Sequence, residues 1–269
     1  MPAIDVIPPA PRALGAINWL GLWTLTGKEI RRFLKVYLQT VMAPVATTLM
    51  FLAIFMLSMG RAVVQVHDVP YARFLAPGLI MMAMVQNAFA NTSSSLIIAK
   101  VQGNIVDVLM PPLSPLELTL AFSLGGVARG VVVGVVVAIT TLPFAPMQIV
   151  DLGAVLYYGV MASLMLSLLG IMGAIWADKF DHMAAVTNFI VLPLSFLSGT
   201  FYSIDRLPDA IRAITFVNPF FYMIDGFRYG FIGQSDGSLW VGILVLGLVN
   251  LTLFLGAYTM FRRGYKLKA

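Results

Sequence analysis

Six apolar stretches, each as long as a membrane-spanning helix, constrain this chain more than any other feature. A helix needs about 20 apolar residues to cross the hydrocarbon core of a bilayer. The stretches that meet this length are Val36–Ser58, Arg73–Ala99, Pro115–Leu142, Leu152–Ala177, Ala184–Tyr202 and Leu239–Phe261. Only 11% of the residues are charged, whereas a soluble domain carries roughly 25%. We therefore predict an all-α integral membrane protein with six transmembrane helices.

The positions of lysine and arginine predict the orientation of these helices. With both termini in the cytoplasm, the inner set is Arg12, Lys28, Arg31, Arg32, Lys35, Lys100, Lys179, Arg262, Arg263, Lys266 and Lys268. The outer set is Arg61, Arg73, Arg206, Arg212 and Arg228, and Arg129 falls within a span. This bias follows the positive-inside rule, so the basic charge indicates topology. We expect a multi-pass protein of the inner (cytoplasmic) membrane without a nucleic-acid partner.

The segments outside the spans complete the predicted organisation. Residues 1–15 are Pro-rich and form a mobile tail, because they lack the pattern of a signal peptide. Residues 16–35 form an interfacial amphipathic helix whose tryptophans lie at headgroup level. The transmembrane domain covers 36–262, and 263–269 are a basic cytoplasmic tail. The sequence leaves open whether the interfacial helix is only an anchor or also contacts a partner.

Three patterns known from enzymes do not fit a membrane bundle. GQSDG at Gly233–Gly237 matches the serine-hydrolase elbow, which requires a strand, a turn and a nearby histidine. The two histidines, His67 and His182, are predicted on opposite sides of the membrane, so neither a triad nor a histidine metal site can assemble. No P-loop pattern occurs. We predict no catalytic residue, no metal site and no ATP hydrolysis by this chain alone.

Polar and small residues mark the second and third spans. Lipid does not tolerate many unpaired polar groups, so Gln86, Asn87, Asn91 and the serines that follow face the bundle interior, a second copy or a wet path. Hydrogen bonding between helices and a translocation lining fit equally well. In the third span a glycine row favours close packing within the chain over a dimer contact; the row is Gly126, Gly130 and Gly134.

Arg129 lies beside this glycine row and carries a charge that is costly within a span. A structural partner or a lipid headgroup is favoured over substrate as its contact.

The stretch VQGNIVDVLMPPLSPLEL (residues 101–118) interrupts the apolar pattern after the second span. Gln102–Met110 predicts a short helix, and the three prolines that follow stop it. Its apolar patch is predicted to be Ile105, Val106, Leu109 and Met110. The stretch is either a plain loop or a plug for a groove on a soluble partner.

Two short amphipathic helices are predicted on the outer side, within residues 204–232 between the fifth and sixth spans. Asp205 caps the first, with Pro208 in its first turn, and Asn218 caps the second, with Pro219 at its first position. Asp225 and Arg228 are spaced i, i+3 and are expected to pair. Their charges favour re-entrant helices over a further span.

Two of these regions resemble the permease subunits of ABC-2 type exporters. They are PPLSPLEL with the following GGVARG, and the run SGTFYSIDRLPDAIRAITFVNPFFYMIDGFRYGF (Ser198–Phe231). The resemblance covers nearly the whole chain. It implies a six-span permease that pairs with a second copy, with membrane lipid and with two separate ABC ATPase subunits. ATP and Mg²⁺ would bind those subunits, and this chain would bind no cofactor.

The resemblance also implies roles for particular residues. A coupling helix within 101–112 and a connecting helix around Lys28–Phe33 would contact the ATPase, through Gln102, Gly103, Ile105, Val106, Asp107, Leu109, Lys28, Glu29 and Arg32. The first, second and fifth spans would form the dimer contact and the path, with Gln86, Asn87, Asn91, Ser94 and Asn188. An extracytoplasmic gate would include Asn218, Pro219, Asp225 and Arg228.

One departure from the family concerns the start of the coupling region. Many relatives have an acidic residue where this chain has Gln102, which leaves Asp107 as the acid before the prolines. The predicted function is ATP-driven export of a hydrophobic or lipid-like substrate, because the adaptable Met81, Met82 and Met84 favour apolar contacts. An ion-driven secondary transporter and a non-transporting membrane scaffold are the alternatives.

Overall fold

The computed structural model describes residues 15–59, 65–66, 69–204 and 207–267. Its regular structure in these ranges is helical, apart from two short strands that pair antiparallel, β1 (Gln65–Val66) and β2 (Val69–Pro70). The helices are α1 (Trp19–Lys35), α2 (Ala43–Met59), α3 (Tyr71–Val101), α4 (Ile105–Leu109), α5 (Pro115–Thr141), α6 (Leu152–Trp176), α7 (Phe180–Val186), α8 (Leu192–Phe196), α9 (Asp209–Val217), α10 (Pro219–Ile232) and α11 (Leu239–Arg263). Two π-helical turns, Leu38–Met42 and Thr187–Val191, precede α2 and α8.

Some predicted features lie outside the described residues. They are the N-terminal tail up to residue 14, the end of the basic tail, and Arg61, His67, Asp205 and Arg206. The helix that Asp205 was predicted to cap begins later, at Asp209, and Pro208 precedes it instead of lying in its first turn. Pro208 has an extended ψ of 147°, which is a conformation outside the helix.

Within the described part of the chain, five helices are long and apolar enough to cross a membrane. They are Leu38–Ser58, which joins a π-helical turn to α2, and α3, α5, α6 and α11. The predicted fifth span, Ala184–Tyr202, overlaps instead with a shorter apolar helix, Phe180–Phe196, that runs through α7 and α8. Its length is about 25 Å at 1.5 Å per residue, less than the roughly 30 Å of a hydrocarbon core. A sixth span therefore stays a prediction.

The most enclosed of these helices is α3. In its most apolar window 89% of the residues are buried, against 17% for α11. Helices α5 and α6 pack along α3, whereas α2 and α11 expose rows of large apolar side chains. A helix whose apolar side chains remain exposed is expected to face lipid. The polar residues of α3 are therefore held inside the bundle.

The glycine row of α5 lies at contacts within the chain. A Cβ atom added at Gly130 would lie 2.8 Å from Ser163 Oγ on α6 and 3.0 Å from the backbone oxygen of Met84 on α3. Gly126 faces Ser167 and Gly134 faces the Met84 side chain in the same way. These glycines allow α5 to approach both neighbours closely.

We call the end of the bundle where α1 and α4 lie the α1 end. There Lys100 Nζ donates to backbone oxygens at the end of α6, with 2.6 Å to Ala177. Lys266 Nζ lies 2.8 Å from Asp178 Oδ2, and this bond holds the pKa of the Asp178 carboxyl below its usual range. Lys266 Nζ also donates to the Trp176 oxygen at 3.1 Å, so both lysines supply donors to carbonyl groups at the end of α6 that have no partner within the helix.

The opposite end, where α10 lies, is the α10 end. The backbone oxygen of Gly230 accepts from the N–H groups of Val150 and Asp151 at 2.8 and 3.0 Å. Tyr158 Oη donates to the Leu239 oxygen at 2.8 Å. The first two bonds hold α10 at the start of α6, and the third joins α6 to the start of α11.

Candidate functional site

A buried polar network joins α1 to α3. Glu29, for which the family resemblance implied an ATPase contact, is fully buried, with 0% of its surface exposed. Its Oε1 accepts from Ser95 Oγ at 2.8 Å, and its Oε2 lies 3.1 Å from Arg32 Nη2. A buried carboxylate requires such partners. The face of α1 that carries Glu29 also carries Leu22, Leu25 and Phe33, so this face packs inward.

Arg32 extends the network along α3. Its Nη2 donates to the backbone oxygen of Asn91 at 2.6 Å and to Asn91 Oδ1 at 3.1 Å, and its Nη1 donates to Ser94 Oγ at 3.2 Å. Asn91 is itself fully buried. Residues that the sequence assigned separately to ATPase coupling and to a translocation path are therefore in direct contact.

Arg129 meets α3 one helical turn before Asn91. Its Nε and Nη2 donate to Asn87 Oδ1 at 3.2 and 2.9 Å. Asn87 in turn donates from Nδ2 to the Ala83 backbone oxygen. No carboxylate among the described residues lies within 4.0 Å of the Arg129 guanidinium. The arginine in the span thus has a neutral partner and an uncompensated charge.

A cavity of about 830 Å³ receives both arginines. We call it the two-arginine cavity, and it is lined by parts of α2, α3, α5 and α8 and by the end of α1. Its polar lining consists of Arg32, Gln39, Thr40, Thr47, Thr48, Gln86, Asn87, Ser94 and Arg129. Of the predicted path residues, Asn91 is buried behind Arg32, and Asn188 is exposed on a π-helical turn and does not line the cavity.

The second candidate region is α4, at the α1 end. The helix covers Ile105–Leu109 and is shorter than predicted, because Gln102–Asn104 form a turn in which Gly103 has a φ of 76°. Ile105 is buried together with Val108, three residues on, so its predicted place in the exposed patch is wrong. The exposed apolar residues are Val106, Leu109 and Met110, and Asp107 is exposed beside them.

The start of α1 is tied to the proline segment that follows α4. Asn18 caps α1 by accepting from Gly21 N at 2.9 Å, and its Nδ2 donates to the Pro112 oxygen at 3.2 Å. The Glu117 carboxylate accepts from the backbone N–H groups of Asn18 and Ser114. Because the Ser114 side chain accepts from the Glu117 N–H in return, Ser114 and Glu117 form a complete capping box at the start of α5. The S-x-x-E spacing of Ser114 and Glu117 signals this arrangement in the sequence.

A cavity of about 940 Å³ lies between α1 and α4. It is lined by Trp19, Lys28, Gln102, Asp107 and Val108, among other residues. Lys28 is exposed, and its Nζ lies 3.9 Å from Glu29 Oε1. This cavity and the exposed face of α4 form one surface at the α1 end.

At the α10 end, Asn218 caps α10 as predicted, with Pro219 at the first helical position. Asn218 Oδ1 accepts from Phe220 N, and its Nδ2 donates to the Leu194 oxygen on α8, both at 3.0 Å. The cap therefore also fixes α8 to α10.

Asp225 and Arg228 do not form the predicted direct ion pair, although their charges lie close enough to interact. Asp225 accepts from the backbone N–H groups of Asp236 and Gly237 at 2.9 and 3.0 Å. Arg228 Nη2 donates to the Gly199 oxygen at 2.6 Å, and its guanidinium stacks 3.8 Å from the centre of the Phe74 ring. Both side chains are buried, and loops that close over α10 supply backbone partners that helical spacing alone does not reveal.

Comparison with known proteins places these regions in one family. Residues 21–232 match the profile of the family described as ABC-2 type transporter. This chain belongs to that family. The match begins in α1 and ends with α10, so it includes both candidate regions and the α10 end.

Known relatives align with nearly the whole length of this chain. It is 36% identical over 253 residues to the inner membrane transport permease YadH of Escherichia coli (strain K12), which covers 94% of this chain and 99% of YadH. It is 23% identical over 251 residues to nodulation protein J of Rhizobium leguminosarum bv. viciae, covering 93% of this chain and 95% of that protein. The chain is therefore a membrane permease of the ABC-2 transporter family.

The structure also identifies residues that the sequence did not assign to a site. Gln39 and Thr40 line the two-arginine cavity because the π-helical turn presents them to it. Arg129 lines the cavity too, although its sequence context suggested a structural or lipid contact. Glu117 sits where α1, α4 and α5 are joined, and only its capping-box spacing could have indicated this.

Proposed function

We propose that the permease is the transmembrane subunit of an ATP-driven ABC exporter of the inner membrane. Two copies would work with two separate ABC ATPase subunits, which would bind ATP and Mg²⁺. Family membership supports this assignment, and the observation that carries it is α4. A soluble partner could bind there, because three apolar side chains and Asp107 are exposed beside a cavity at one end of the bundle.

The proposed topology places the α1 end in the cytoplasm. Exposed cations cluster there, and they are Lys28, Arg31, Lys35, Lys179, Arg262, Arg263 and Lys266. This distribution supports the positive-inside orientation. Phe180–Phe196 would complete the sixth crossing together with the residues after it, and α9 and α10 would be re-entrant helices. The α10 end would then form the extracytoplasmic gate around Asn218, Pro219, Asp225 and Arg228.

A chain of contacts links the proposed docking surface to the two-arginine cavity. Movement of α4 would pull on the proline segment, and Asn18 and Glu117 tie that segment to α1. Helix α1 in turn carries Arg32, which lines the cavity and binds α3. Closure of the ATPase pair would therefore shift a cavity-lining residue directly. Such a step requires two conformations of the transporter, and ATP must bind one of them more tightly than the other.

The scarcity of carboxylates within the five described candidate spans favours ATP over an ion gradient as the energy source. Ion-driven transporters commonly use ionisable groups within their spans. Within the five described candidate spans the acidic side chain is Glu117, and it is committed to the cap of α5. A carboxylate held by two backbone donors is a poor proton carrier, because those bonds stabilise its charged form.

The test is copurification of an ATPase from the native membrane. The wild-type permease, Val106→Asp and Asp107→Arg would each be tagged, crosslinked in the cell and extracted in mild detergent. We expect an ABC ATPase at an equimolar ratio with the wild type, and a loss of about tenfold or more with Val106→Asp, because burial of a charge opposes docking. Tyr265→Asp is the control, since Tyr265 is exposed at the same end but outside the α4 cavity.

Two results would count against the proposal. Wild-type permease that yields no ATPase after crosslinking would exclude the exporter and favour an ion-driven transporter or a scaffold. Equal recovery with all variants would leave the exporter in place but remove α4 as the docking surface. Membrane insertion of each variant would be checked by its yield in the membrane fraction.

A further inference from the structure

The two-arginine cavity has an excess of positive charge. Arg32 is paired with Glu29, but Arg129 has only the neutral Asn87 oxygen as its partner. None of the described residues that line the cavity is an aspartate or a glutamate. An unpaired cation within a span is costly, so an anion that enters the cavity would be strongly favoured.

Unused hydrogen-bond donors also point into this cavity. Nε and Nη2 of Arg129 bond to Asn87, which leaves Nη1 without a partner within the described residues. The side-chain amides of Gln39 and Gln86 line the same cavity, and neither forms a hydrogen bond in the part of the chain that the structure describes. Guanidinium groups bind phosphate in a bidentate manner, which neutral groups or a single ammonium cannot reproduce.

The cavity is polar in one part and apolar in another. Its lining on α3 runs from Leu79 to Ile98, which is about 28 Å of helix at 1.5 Å per residue. Arg129, Asn87 and Gln86 lie near the middle of this length and Arg32 lies closer to the α1 end, whereas Leu79, Phe51 and Phe196 line the part nearest the α10 end. Its volume of about 830 Å³ falls within the roughly 300–1,000 Å³ of ligand sites. The occupant that fits is an amphiphile with an anionic head.

We propose that the two-arginine cavity binds a phosphate-class anion at the head of an amphiphile, held by Arg129 with Arg32, Gln39 and Gln86. The chain of the amphiphile would lie along Leu79, Phe51 and Phe196. This inference names the substrate class of the exporter proposed above and rests on that function for its role in transport. Binding itself does not require the ATPase.

Native mass spectrometry of the purified full-length permease in neutral detergent tests this binding. The probes are phosphatidic acid, phosphatidylcholine with the same acyl chains, and inorganic phosphate. We expect phosphatidic acid to bind about tenfold more tightly than phosphatidylcholine, and Arg129→Gln to remove that preference, since a bond to a charged group has this strength. Arg129→Lys keeps the positive charge but loses the bidentate geometry of the guanidinium, so it should retain only part of the preference for phosphatidic acid.

Matched variants separate the cavity from general charge effects. Arg31→Gln removes an exposed cation of the same helix end outside the cavity, and it should bind phosphatidic acid like the wild type. Gln86→Leu removes a proposed donor without changing charge and should weaken binding by a few-fold. It keeps the test decisive if Arg129→Gln fails to fold.

Each outcome separates the sources of the anion or rejects the site. Inorganic phosphate that competes fully with phosphatidic acid would support the anion site and assign it to a soluble phosphorylated ligand. Unchanged binding by both Arg129→Gln and Gln86→Leu would overturn the proposal. Loss of ATPase copurification with binding intact would reject the exporter alone.

Discussion

Arg228 and Arg129 are both arginines inside a helical bundle, and their surroundings differ. Arg228 is only 3% exposed, its Nη2 donates to backbone oxygens of the loop before α9, and its face covers Phe74. Arg129 has one neutral oxygen as its partner and lines a cavity. An enclosed arginine with fixed partners holds structure together. An arginine with an unused donor in a cavity is available to a ligand.

Replacing Arg228 should have the largest effect on stability. Arg228→Ala would remove the donor from the Gly199 oxygen, empty the space over Phe74 and leave Asp225 without its nearby cation. Loss of one member of a buried charged group costs about 3–5 kcal/mol. Thermal unfolding of the purified permease in detergent should show a clear drop in the midpoint. A midpoint equal to that of the wild type would mean that the α10 end does not depend on this contact.

The second effect concerns a buried carboxylate, Glu29. Glu29→Ala would leave Arg32 and Ser95 without their buried acceptor, at a cost of about 3 kcal/mol. A double-mutant cycle with Arg32→Ala measures the coupling, which we expect to be about 1–3 kcal/mol for residues in one network. Additive losses would show that the two side chains are held independently, and α1 would then be a poor link to the cavity.

The long helices were predictable because the bilayer imposes a length on them. Helices α3, α5, α6 and α11 begin and end close to the predicted stretches, since about 20 apolar residues leave few alternatives. The cap of α10 was predictable as well, because Asn218 and Pro219 act locally. The predicted fifth span, Ala184–Tyr202, was displaced along the chain, because the helix begins earlier, at Phe180, and ends earlier, at Phe196; its composition does not show where the helix begins or ends.

The contacts within the site depend on tertiary packing and could not be predicted. Glu29 is one of several charges on α1, and only the docking of α1 against α3 selects it for burial. In α4, which has little more than one turn, the choice of Ile105 over Val106 as the inward residue is set by the bundle. Arg129 and Asn87 are 42 residues apart in sequence, and no local pattern joins them.

A smaller effect is expected where the glycine row of α5 brings helices together. Gly130→Ala would place a Cβ atom 2.8 Å from Ser163 Oγ and 3.0 Å from the Met84 oxygen, and such overpacking costs about 1–3 kcal/mol. Gly247→Ala is the matched control, because nothing lies within 4 Å of its added Cβ. The midpoint of thermal unfolding should fall for Gly130→Ala only. Equal midpoints would mean that α5 and α6 can separate at little cost.

The smallest loss of stability should come from Arg129→Ala, although Arg129 also lies within the bundle. Its removal leaves only Asn87 Oδ1 without donors, and water in the cavity can replace them. We expect a change below about 1 kcal/mol, the size of one neutral hydrogen bond, measured by thermal unfolding beside Arg228→Ala. A loss as large as that of Arg228→Ala would make Arg129 a structural residue, and the positive charge of the cavity would then serve the fold. A small loss of stability combined with weaker binding of phosphatidic acid would separate the two arginines by role. Arg228→Ala would then lower the stability of the native state, whereas Arg129→Ala would weaken the binding of a ligand.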